Sequence, residues 1–128
     1  MADRMQLIRD AFAAYSTGDL QTFESLFDPA AKWVGVPGGG ENGEPHVCSD
    51  RSRIVARFRQ HRENGRSFDL GEMIEREDRV AVAITIINPQ WSGPVSVYKV
   101  FTFRPGEDVV VRMNDCIDES YARQVLAA

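Results

Sequence analysis

The spacing of apolar residues turns from mainly helical to strand-like after Asn64-Gly65, and that change restricts the fold more than any single motif. Upstream the spacing is mostly helical. Met5, Ile8, Phe12 and Tyr15 recur as one helix face over 3–16, and Gly18 stands where a left-handed residue ends such a helix. Asp19 caps a second, short helix that carries Leu20, Phe23, Leu26 and Phe27 inward as far as Asp28-Pro29, where proline removes a backbone donor. A short strand over 32–36 contains Trp33, and the glycine- and proline-rich stretch 37–45 cannot readily continue it. Ser49 or Asp50 caps a third helix, with Ile54, Val55 and Phe58 as its buried stripe. Beyond Gly65, residues 68–77, 79–88, 95–104 and 109–117 alternate as four strands joined by short turns, which favours an antiparallel meander. Asp118 then caps a last helical turn with Tyr121, Val125 and Leu126, expected to close one sheet edge.

Helices before strands imply an α+β fold: a cone-shaped, curved antiparallel sheet wrapped around the N-terminal helix hairpin and the third helix. At 128 residues and 43% hydrophobic content, the chain suits a single domain over 1–128 with a sizeable core. A curved sheet that its helices do not fill leaves a concave apolar cavity, the kind of space that takes a small molecule.

One residue breaks the apolar pattern of the last strand. Val109, Val111, Met113, Asp115 and Ile117 share a face by alternation, and four of the five are apolar. A carboxylate there needs a partner or a wet pocket, because burying the charge alone costs several kcal/mol or more. Asp115 therefore marks either a buried ion pair or a site.

Several function classes fall away. A net charge of -4 argues against nucleic acid or an anionic membrane as the main partner. The six arginines from Arg51 to Arg66 lack interleaved exposed aromatics and read as a solvated helix face. No signal peptide and no apolar run of membrane-spanning length is present, so a cytoplasmic location is expected. Cys48 and Cys116, without CxxC spacing, suggest reduced thiols, and with His46 and His61 they form no zinc pattern. The run Gly38-Gly39-Gly40 lacks the lysine and Ser/Thr of a phosphate loop and reads as a flexible lid.

Tyr15-Ser16-Thr17-Gly18-Asp19-Leu20, then Phe27-Asp28-Pro29, Trp33 and Val111-Arg112-Met113-Asn114-Asp115, together with the order of elements, resemble the nuclear transport factor 2-like superfamily, in particular its SnoaL-like domains. That superfamily includes polyketide cyclases, steroid isomerases, epoxide hydrolases, dehydratases and non-catalytic carriers, so the fold alone does not select a chemistry. The resemblance places Asp115 at a polar pocket position, often an acid in SnoaL-like cyclases. It also implies that the strand face carrying Lys99, Phe101 and Phe103 lines the cavity, where Lys99 would meet Asp115. Where the steroid isomerase pattern has its carboxylate and tyrosine, this chain has Gly35 and Ala11. Members of the superfamily commonly pair through the sheet, and an outward face of Val110, Arg112, Asn114 and Cys116 on the last strand suits a homodimer.

These readings give a small hydrophobic ligand or substrate, with no metal and no organic cofactor required. Asp115 is the candidate acid/base, with Lys99 beside it either as an amine of lowered pKa or as a structural partner. Tyr15, Trp33, Phe58, Phe101, Met113 and Ile117 form the candidate apolar wall, or equally a closed core. His61, three residues after Phe58, lies near that stripe. His46 and Cys48 border the expected cavity mouth without the spacing that would pair them as base and nucleophile. The alternative to catalysis is a binding protein or dimeric accessory module with the same cavity.

Overall fold

The computed structural model describes residues 3–36 and 45–128. Helices α1 (Arg4–Thr17) and α2 (Leu20–Glu24) form the expected hairpin, followed by β1 (Phe27–Val34), β2 (Val47–Cys48) and α3 (Arg51–Glu63). Four further strands, β3 (Ser67–Arg76), β4 (Arg79–Ile87), β5 (Val95–Phe103) and β6 (Val110–Cys116), precede α4 (Glu119–Ala127). The sheet order is β2-β1-β6-β5-β4-β3. The architecture is α+β, with the meander running antiparallel as its short turns require.

The caps of α2, α3 and α4 are those the sequence announces, and Asp3 adds one for α1. Asp3, Asp19, Asp50 and Asp118 each accept from backbone N–H groups of the helix that follows. Gly18 takes φ 88° after α1 and satisfies the carbonyls of Ala14 and Tyr15. One face of α1 (Ile8, Ala11, Phe12, Tyr15) and one of α3 (Ile54, Val55, Phe58) pack on the inner side of the sheet. At their junction Phe12, Tyr15, Phe23, Phe58 and Phe68 make edge-on and tilted contacts with centroids 4.8–6.1 Å apart.

Four features depart from the sequence reading. The second helix ends at Glu24, and Phe27 already belongs to β1. Pro29 is tolerated in that strand because the pairing with β6 is interrupted between Phe27 and Lys32, so no ladder donor is missed there. The sheet is also mixed, since β1 runs parallel to β6. These two strands lie far apart in sequence, and no hairpin constrains their direction. Thirdly, a bulge in β6 sets Val110 opposite Phe103 and Arg112 opposite Thr102, which leaves Val111 as the extra residue. The bulge shifts the alternation by one. Val110 therefore faces the inner core rather than outward, while Met113 and Asp115 remain on the inner face.

The fourth departure is α4, which is a full helix and covers the outer face of the sheet instead of an edge. Ala122 and Leu126 pack onto Ala81, Val100 and Cys116, three modest side chains that let the helix approach closely. No helix among the described residues is long and apolar enough to cross a membrane. The stretch 37–44, including the glycine run read as a lid, lies outside the described residues.

Candidate functional site

Antiparallel register sets Lys99 of β5 directly opposite Asp115 of β6, both pointing to the inner face. Lys99 Nζ donates to Asp115 Oδ1 at 2.5 Å. The two partners differ in depth: Lys99 is 3% exposed, whereas the Asp115 side chain keeps 22% of its surface. Lys99 is further enclosed by aromatic faces, its Nζ 4.4 Å from the Trp33 ring centroid and 5.7 Å from that of Phe58.

The exposed part of Asp115 opens into a cavity of about 260 Å³ between the β2-β1-β6 side of the sheet and α3. Trp33, Gly35 and Val36 form one wall. His46, Cys48 and Arg57 line the remainder. Trp33 is brought there by pairing with Met113 on one side and Cys48 on the other, and its ring lies against Phe58 at 4.9 Å. Arg57 projects from α3 with its guanidinium carbon 5.9 Å from the Trp33 centroid.

Behind this wall sits His61. Burial, then the nearby positive charges of Arg66, Arg57 and Lys99, lower its pKa to about 4. Its Nε2 lies 3.3 Å from Arg66 Nη1; arginine only donates, so Nε2 is the acceptor and the ring proton resides on Nδ1. Burial raises the Cys48 pKa against the lowering effect of Arg57 and Arg53, so the thiol is not an activated nucleophile.

The sequence-derived candidates thus divide. Asp115 and Trp33 line the cavity, with Lys99 directly behind them. Phe58, Phe101 and Met113 are fully buried in the packed core. Tyr15 is equally buried, and its hydroxyl donates to the Arg66 carbonyl at 2.8 Å; burial drives its pKa up to about 12 against the lowering charges of Arg66 and Arg62. Ile117 lies past the end of β6 and is 68% exposed. Sequence reasoning passed over Arg57 by treating the α3 arginines as one solvated face. The available signal was spacing, since Ile54, Arg57 and His61 at i, i+3 and i+7 follow one edge of the buried stripe.

The chain belongs to the SnoaL-like domain family, whose model matches residues 8–113. Solved structures sharing its fold include an NTF2-like protein of unknown function from Burkholderia pseudomallei (TM-score 0.74, 20% identity, 100% of both chains covered). TerC co-crystallised with polyporic acid superposes with a TM-score of 0.71 at 21% identity over 98% of both chains. SalBIII, an epoxide hydrolase/cyclase-like enzyme in pyran ring formation in polyether salinomycin, gives 0.72 at 18% identity over 92% of both chains. No protein of curated function matches the chain by sequence.

Proposed function

We propose that this protein binds a small hydrophobic, carbonyl-bearing molecule in the cavity beside Trp33 and acts on it by proton transfer through Asp115. The observation that carries this reading is the asymmetry of the ion pair: the lysine is sealed in the core while its carboxylate partner opens into the cavity. A purely structural pair gains nothing from such an opening. With Oδ1 held by Lys99, the carboxylate is oriented, and Oδ2 is left to meet a substrate proton. Removal of a proton next to a carbonyl, followed by its return at another atom or by attack of the enolate carbon on a second carbonyl, needs no oxidant or reductant. Isomerisation and ring closure both follow from that step. SalBIII, with its role in pyran ring formation, supports ring closure as one outcome on this fold.

A second reading, a carrier with the same cavity, is favoured by one fact: Asp115 is the only carboxylate lining the cavity among the described residues, so no separate acid and base face each other there. Thermal-shift screening of polycyclic ketones and β-dicarbonyl compounds, with mass spectrometry of each binder, separates the two. Conversion by the wild type, lost in Asp115→Asn while binding persists, is the expected result. Binders that the wild type never converts would establish the carrier instead.

A further inference from the structure

Residues 51–66 hold six arginines against one carboxylate, Glu63, in a chain whose net charge is -4, so α3 is a basic stripe on an otherwise acidic molecule. That stripe borders the cavity. Arg57 lines it, and no carboxylate among the described residues pairs with its guanidinium. The guanidinium instead approaches the Trp33 ring, with Cζ 5.9 Å from the centroid. Arg66, half-buried, likewise has no carboxylate partner among the described residues; it stacks 4.8 Å over Trp91 and meets His61. Asp115 is the one carboxylate of the described cavity lining, and its charge is already matched by Lys99. Positive charge is therefore in surplus around the cavity. The surplus reaches His61 behind Trp33, where burial and then the charges of Arg66, Arg57 and Lys99 lower the pKa and Asp115 alone opposes them.

We propose that the cavity takes an organic anion, a flat hydrophobic body of one or two rings bearing a carboxylate, and that Arg57 selects it by holding the carboxylate at the mouth. This rests on the cavity reading above and adds the charge of the ligand. A guanidinium presents paired N–H donors that match the two oxygens of a carboxylate, so an arginine without an internal partner is suited to such a group. Arg57 is exposed, and water competes for it, so its contribution is that of a rim contact and not of a sealed ion pair. A volume of about 260 Å³ restricts the body to one or two rings. Asp115 repels the incoming charge only weakly, because Lys99 holds its Oδ1. The other α3 arginines act at longer range and draw an anion toward the mouth of a protein whose remaining surface would turn it away.

The probes are 2-naphthoate, ionised at neutral pH, and 2-naphthamide, which keeps the shape and the carbonyl oxygen without the charge. Occupancy of the cavity is read from the backbone amide signals of Val36, Cys48 and Asp115 in ¹⁵N–¹H spectra, and affinity from their titration. The naphthoate is expected to bind about tenfold more tightly than the amide, the size of one charge-assisted hydrogen bond. In about 0.5 M sodium chloride the two affinities should converge. Arg57→Gln should weaken the naphthoate about tenfold and leave the amide unchanged, whereas Arg57→Lys should keep part of the preference. Arg59→Gln removes the same charge from an exposed α3 position outside the cavity lining, and should change naphthoate affinity by no more than about twofold. Naphthoate binding no tighter than the amide, or a loss in Arg59→Gln as large as in Arg57→Gln, would overturn selection by Arg57 while the cavity reading survives. Failure of both probes to move the three cavity signals would remove the cavity reading together with the anion preference.

Discussion

Lys99 is the most deeply buried charge in the molecule's site, and its only carboxylate partner among the described residues is the one residue of the pair that meets solvent. Asp115→Leu leaves that ammonium uncompensated, so unfolding free energy should drop by about 2–4 kcal/mol in urea titrations. Lys99→Met combined with Asp115→Leu should recover most of the loss, because two apolar side chains replace the pair in an aromatic pocket; additive losses would contradict this account of the pair. His61 gives a pH signature. Its folded pKa of about 4 lies below the ordinary 6.5, so the unfolded chain binds the extra proton. Stability is unaffected above about 6.5 and falls as pH drops toward about 4. His61→Gln should flatten that part of the profile relative to wild type; an unchanged slope between pH 7 and pH 5 would mean that His61 is not buried neutral.

At the scale of elements, α3 is what turns a sheet face into a site, since it supplies Arg57 and His61 and backs Trp33 with Phe58. Asp50 caps it through the Arg53 N–H at 2.9 Å, and Asp50→Ala is expected to cost about 1 kcal/mol of stability by urea unfolding. Much of this level was legible in the sequence, because caps and hydrophobic periods are local signals: the helix hairpin, α3 and the four meander strands all follow from them. What was not legible depends on pairing between distant segments. The β6 bulge reverses Val110 and Val111 relative to strict alternation, and only the register against Phe103 and Thr102 reveals it. The parallel course of β1, the strand role of Phe27, and the docking of α4 on Ala81, Val100 and Cys116 are equally non-local. Asp115 stood out because a lone carboxylate among apolar residues is a local anomaly, whereas Arg57 was hidden among other arginines.

For the molecule as a whole, the sheet has two unlike faces. The inner face holds the core and the cavity; the outer face is partly covered by α4. We propose that the uncovered remainder, where Arg112 is exposed and Asn114 half-buried on β6, pairs two copies as a homodimer. Sedimentation velocity at micromolar concentration should then show a single species of twice the chain mass, and a monomer throughout would remove the dimer. Proton movement between the proposed carboxylate base and a bound carbonyl compound is read by deuterium exchange. A cavity-binding ketone is incubated with protein in D₂O and its α-position followed by proton NMR. Deuterium should wash in with the wild type and only at the spontaneous background rate with Asp115→Asn at equal occupancy; equal exchange in both proteins would mean that Asp115 moves no proton.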